Sequence, residues 1–184
     1  CYLLHQGLFV VGYTKSGTNW LRNLIRFYYE IDRDDDKRIF KKRVHHMHRF
    51  VPSSYFRKKT IYMIRDGRDT IVSRYFTMVN KESQSLMKED FIKYSNIEPK
   101  SDNIKEVLPE YIKFLMEYKK STIDYLNHVE YSKKKKLFTI RYEDLISNTE
   151  ETFEKVLHYI DSSIEIDKER VETAIKECSF ENSV

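Results

Sequence analysis

Cysteine is nearly absent. Cys1 and Cys178 are the only two in the chain, too few for a disulfide framework, so a reducing compartment is the simpler expectation. No Cys/His spacing suggests a structural zinc site. Long hydrophobic runs are missing too, and no window approaches the length of a membrane span. No basic-apolar leader is visible, and an opening at Cys1 rather than methionine leaves the true start an open question. Charge of one sign is not massed on any module. The net charge of +4 is a mild basic balance, compatible with nucleic acid, an anionic membrane or an anionic small ligand. Its one block, Lys133–Lys136, reads as a solvated turn before a strand. What remains is 184 residues, 40% hydrophobic and 14% aromatic. That is enough for one domain with a real core, expected to span 1–184.

The most informative stretch runs from Phe9 to Leu21. Phe9, Val10 and Val11 lead into a turn holding Gly12, Lys15, Ser16, Gly17 and Thr18, after which Leu21, Leu24, Ile25 and Tyr28 fall at helical spacing. A buried strand (8–13) feeding a Gly-rich turn and a helix (18–30) makes an anion cradle. Backbone N–H groups point outward there and the helix dipole favours negative charge. Lys15 adds a point charge. Gly12 and Gly17 keep the spacing of the nucleotide-binding GxxxxGK[ST] loop, but Thr18 stands where its lysine belongs. The lysine lies inside the loop instead, which counts against an ordinary ATPase or kinase.

Residues 13–20, YTKSGTNW, resemble the 5′-phosphosulfate loop of the sulfotransferases, usually YPKSGTTW. Thr14 replaces the proline and Asn19 the second threonine. The resemblance makes Lys15, Ser16, Gly17, Thr18, Asn19 and Trp20 contacts to a donor nucleotide, with Trp20 stacking on its adenine. It also implies the P-loop-NTPase-like sulfotransferase fold.

Further along, Asp32–Lys37 is an acidic loop without the turn or closing glutamate of a calcium site, and reads as exposed surface. Arg43–His48 reads as a short strand, with Val44, His46 and His48 on one side and His45 and Met47 on the other. Three histidines hint at zinc, but nothing nearby clearly supplies a third ligand. In sulfotransferases the second strand ends in Lys-Thr-His or Lys-Ser-His, whose histidine is the catalytic base. Aligning Met47-His48 with the last two positions makes His48 the base. His46 then falls at the lysine position, as a sulfonate contact. Which of the two histidines is the base stays open on sequence alone.

Thr60–Asp66 is a nearly continuous apolar strand, as a central parallel strand should be. A helix follows with Ile71, Val72, Tyr75, Phe76 and Val79 facing inward. Arg65 and Ser73, eight residues apart, can converge on one phosphate, the arginine bidentately and the serine through one hydrogen bond. Arg65, Asp66, Arg68, Asp69 and Ser73 match the RDxRDxxxS pattern of the sulfotransferase 3′-phosphate site, which assigns Arg65 and Ser73 to it. Asp69 reads as that helix's cap and Arg68 as a surface pair.

Residues 81–107 are polar and poorly periodic, and read as a flexible lid or acceptor segment. Pro109 reads as opening a long helix to about Val129, with Ile112, Leu115, Met116, Ile123 and Leu126 on its apolar side. Leu137–Leu145 reads as another buried strand, leaving through Tyr142-Glu143-Asp144. Adjacent strand residues point to opposite faces, so Glu143 and Asp144 would not act on one atom. The family carries YEDL here, and its tyrosine, Tyr142, contacts the adenine-nucleotide region. A helix with Phe153, Val156, Leu157 and Ile160 inward precedes a last one at about 168–177. Cys178-Ser179-Phe180 resembles the family's Thr-Ser-Phe element. That makes Phe180 an adenine contact, while Cys178 replaces the hydrogen-bonding threonine. The family's RKGxxGDW clamp is not within these 184 residues.

Strands alternating with helices predict a three-layer α/β sandwich with a mostly parallel sheet. Ligands of such sheets bind beyond the carboxyl ends of the strands, where Lys15, His48, Arg65 and Tyr142 fall. The resemblance implies transfer of a sulfonate group from 3′-phosphoadenosine 5′-phosphosulfate (PAPS) to an acceptor hydroxyl or amine. His48 is the general base, Lys15 neutralises the departing phosphate, PAP is the product and no metal is required. The rivals are a nucleotide kinase or NTPase with a variant loop, and a non-catalytic nucleotide- or polyanion-binding module. The expected partner is a small-molecule or carbohydrate acceptor rather than nucleic acid. The expected location is cytoplasmic, or lumenal if an N-terminal anchor has been removed.

Overall fold

The structure, a computed structural model, describes residues 7–31, 44–48, 59–81, 85–119, 121–135 and 137–178. The expectations for Asp32–Lys37, for Arg43 and for Phe180 lie outside the described residues, as do those for the side chains of His46 and Ile123. The chain divides into two compact units, Cys1–Arg65 with Tyr131–Val184, and Asp66–Glu130.

Among the described residues, the first unit holds four strands. β1 (Leu8–Gly12) is buried at every position, which its unbroken apolar run requires of a strand covered on both faces. β2 (Val44–Met47) and β3 (Thr60–Ile64) flank it, and β4 (Phe138–Arg141) pairs with β3, giving the order β2-β1-β3-β4. Every pairing is parallel. The carboxyl ends Gly12, Met47, Ile64 and Arg141 therefore all leave the sheet at the same end. The mostly parallel α/β sheet expected from the sequence is present.

Strand alternation splits the apolar residues between two faces. Val10, Val44, Ile61, Met63 and Ile140 join one core cluster with α1 (Thr18–Tyr28), α7 (Thr149–Ile160) and α8 (Lys168–Glu177). Phe153, Val156, Leu157 and Ile160 of α7 are all buried there, each burial contributing about 1.5–3 kcal/mol. On the opposite face Phe9, Val11 and Tyr62 pack with Met47, Ile64 and Tyr131. Tyr131 comes from the last turn of α5 (Ser121–Lys134), the part of that helix that belongs to the first unit. Lys133 and Lys134 belong to the last turn of α5 rather than to a loop, where they complement the helix dipole. β4 is shorter than the sequence suggests and forms the sheet edge, with Thr139 and Arg141 exposed. Tyr142 already begins α6 (Tyr142–Ser147).

In the second unit, α2 (Gly67–Asn80), α3 (Ser85–Ser95) and α4 (Ile104–Lys113) surround Tyr75, Met78, Phe91, Val107, Tyr111, Phe114 and Leu115. The cap of α2 is Asp66, whose side chain accepts from the Arg68 N–H at 2.8 Å; Asp69 sits three positions later, inside the first turn. Within 81–107, which reads as poorly periodic, the described residues hold α3 and the start of α4. Pro109 lies inside α4, which starts at Ile104 after Asn103. A π-helical turn at Phe114–Tyr118 interrupts the path to α5. Met116 and Leu126, expected inside, are 52% and 55% exposed.

Candidate active site

The loop after β1 takes its shape from two left-handed residues, Lys15 at φ 69° and Gly17 at φ 89°. Gly12 is required by close approach, because a Cβ there would lie 2.6 Å from the Met63 carbonyl oxygen and 2.4 Å from Ser16 Oγ. The Ser16 N–H and hydroxyl both donate to the Tyr13 carbonyl, at 3.1 and 2.6 Å. Ser16 and Thr18 are buried, whereas Asn19 is exposed. The loop closes onto α1, whose first N–H groups have no acceptor within the helix. The cap residue is Gly17, which has no side chain to offer them.

The neighbouring strand ends reach this loop. Arg65, just past β3, donates from Nη1 to the Lys15 carbonyl at 3.1 Å. Its guanidinium covers the ring of Tyr142, with Cζ 4.2 Å from the ring centroid. Tyr142 is buried and in turn lies against Gly17, where a Cβ would come within 2.4 Å of Cδ2. The Trp20 indole meets Tyr142 edge-on, at 6.0 Å between ring centres. It also donates from Nε1 to the Cys178 carbonyl at 3.0 Å, fixing α1 to the end of α8.

His48 follows β2 directly and is exposed, with Nδ1 3.1 Å from the Gly12 carbonyl oxygen. A carbonyl only accepts, so Nδ1 bears the hydrogen and Nε2 holds the lone pair in the neutral ring. Lys15, His48, Arg65 and Tyr142 thus converge at the carboxyl ends of the four strands. Ser73 lies in α2 of the second unit, and its pairing with Arg65 is a reading of sequence spacing. Glu143 and Asp144 occupy α6, not a strand, and Glu143 lies 3.6 Å from Arg141. In the second unit, Arg68 forms the expected exposed pair, with Asp66 at 2.7 Å.

Sequence reasoning did not find the Arg65–Tyr142 stack, the Gly12–His48 hydrogen bond or the Trp20–Cys178 bond. Each joins residues far apart in the chain, and no local motif encodes such a contact. The donor set suits a nucleotide carrying negative charge at two places: a lysine, an arginine and a helix N-terminus, with no carboxylate inside the loop. The Met63 carbonyl at Gly12 and the Tyr142 ring at Gly17 leave no room for larger residues.

Comparison with known proteins identifies the family and the fold. The family described as "Sulfotransferase domain" matches residues 28–183, a span that begins after the lysine loop. The chain is 24% identical to a 3-alpha-hydroxysteroid sulfotransferase of Cavia porcellus, over 93% of this chain and 63% of that protein. Its fold superimposes on mouse sulfotransferase SULT7A1 complexed with PAP at a TM-score of 0.60 and 20% identity, covering 96% of this chain and 66% of that one. It superimposes on retinol dehydratase in complex with androsterone and inactive cofactor PAP at 0.58 and 14% identity, covering 98% and 66%. The chain spans just under two thirds of the length of these relatives.

Proposed function

Because this chain belongs to the sulfotransferase domain family, we propose that it moves a sulfonate group from PAPS to a hydroxyl or amine of a small-molecule acceptor. The observation that carries the reading is the hydrogen bond from Arg65 to the Lys15 carbonyl. It brings the arginine of one strand end to the lysine loop of another, so two cationic groups serve one site. PAP in the solved relatives supports the nucleotide, and their steroid and retinoid names support a small apolar alcohol as acceptor.

In this reading His48 takes the acceptor proton on Nε2 as the acceptor oxygen attacks sulfur. The Gly12 carbonyl holds the ring in the tautomer that leaves Nε2 able to accept. The sulfur–oxygen bond to the 5′-phosphate breaks, and its electron pair departs on PAP. Lys15 and the first N–H groups of α1 meet that growing charge in a fixed arrangement, which avoids reorganisation during transfer. Arg65 meets the 3′-phosphate, and the ring of Trp20 contacts the adenine.

Incubation of the chain with labelled PAPS and a panel of phenols, sterols and sugars tests the reading. Label transfer to an acceptor, abolished in Lys15→Ala, is the expected result. Label transfer that Lys15→Ala leaves unchanged would remove the loop from the mechanism.

A further inference from the structure

The peptide unit between Lys15 and Ser16 is held at both ends. Its carbonyl accepts from Arg65 Nη1 at 3.1 Å, and its N–H donates to the Tyr13 carbonyl at 3.1 Å. Lys15 needs such restraint, because a left-handed backbone is unfavourable for any residue carrying a Cβ and its φ is 69°. Two residues later, Gly17 lies against the ring of Tyr142, the first residue of α6. The same ring carries the Arg65 guanidinium, 4.2 Å from its centroid. The guanidinium is a rigid planar fork, and held over this ring it donates from Nη1 to the Lys15 carbonyl. The contacts close a circuit from Lys15 through Gly17, Tyr142 and Arg65 back to Lys15.

We propose that Arg65 and Tyr142 are positioning residues for the 5′-phosphosulfate loop, acting on the end of the nucleotide opposite the 3′-phosphate. The inference rests on the nucleotide reading above and deepens it. An arginine that only met the 3′-phosphate would have no reason to spend a donor on the loop's backbone. Here a single guanidinium links the shape of the loop to the second phosphate. The tyrosine contributes its ring, which is wide enough to support the arginine and Gly17 together.

The experiment compares two ligands by calorimetry on the whole chain: PAP, with both phosphates, and AMP, with the 5′-phosphate alone. Arg65→Met weakens AMP as well as PAP, by about tenfold or more for a charge-assisted hydrogen bond. Tyr142→Leu does the same, and Tyr142→Phe recovers most of that loss because the ring is restored. The double variant Arg65→Met with Tyr142→Leu binds AMP no more than about twofold more weakly than Arg65→Met alone, since both act through one circuit. Unchanged AMP affinity in Arg65→Met beside weakened PAP overturns the inference, as do losses that multiply in the double variant. Arg65→Met decides the matter alone if Tyr142→Leu does not fold. Failure of the unaltered chain to bind PAP would instead overturn the proposed function, so the two failures are distinguishable.

Discussion

His48 holds its Nδ1 3.1 Å from the carbonyl oxygen of Gly12, the last residue of β1. One backbone carbonyl therefore ties the proposed base to the strand that carries the lysine loop. The expected outcome of His48→Ala is a fall in transfer rate of about 10²–10⁴-fold, the usual worth of a general base. PAP affinity, measured by calorimetry, stays within about twofold, because the loop and Arg65 are untouched. Loss of PAP binding in that variant would make His48 structural.

Gly17→Ala strains the loop twice over. Its φ of 89° disfavours a Cβ, and the added carbon would lie 2.4 Å from Tyr142 Cδ2. Stability should fall by about 1–3 kcal/mol from the backbone conformation alone, seen as a lower urea midpoint at constant m-value. PAP binding should weaken in parallel. A neutral effect on both would contradict the described loop.

The sequence made the strand–loop–helix at 8–28 legible because each of its parts is a strong local signal. An apolar run marks β1, glycines mark the turn, and Leu21, Leu24 and Ile25 mark the buried side of α1. The strand ending just before Arg65 and the helices at 149–160 and 168–177 were legible for the same reason. The region from 81 to 134 was not. α3 buries Phe91 but exposes Leu86, so its period is weak. Pro109 usually starts a helix, yet here it lies five residues after the first residue of α4. The π-helical turn at Phe114–Tyr118 adds a residue to one turn and shifts the register after it. A regular period drawn across it put Met116 and Leu126 inside. In the site, the motif residues were legible, but the contacts joining them were not, because β4 and β3 meet across more than seventy residues of chain.

That register shift makes its own prediction. Leu115 is 2% exposed and its neighbour Met116 is 52% exposed. Leu115→Ala should cost about 2–5 kcal/mol, while Met116→Ala should stay within about 0.5 kcal/mol. Chemical denaturation of the two variants checks this, and equal costs would restore the uninterrupted helix.

Stability should also decline in alkali. Burial is the main cause pushing the phenols of Tyr29, Tyr62 and Tyr159 above their ordinary value, with Tyr131 adding to the effect on Tyr62. The unfolded chain loses these protons near pH 10 and the folded one keeps them. Above that pH the unfolded state binds fewer protons, so stability is complete below about pH 10 and falls as pH rises. Urea midpoints between pH 8 and 11, read beside tyrosinate absorbance, should drop only at the upper end. Titration of every tyrosine near pH 10 with no loss of stability would contradict the buried phenols.

The central claim is that the Lys15 loop and Arg65 grip a single nucleotide bearing phosphates at both ends. Calorimetry with PAP and with ATP, each with and without magnesium, tests it most directly. PAP should bind without magnesium, more tightly than ATP, and more weakly in Lys15→Ala and Arg65→Met. Magnesium-dependent binding of ATP in preference to PAP would contradict it.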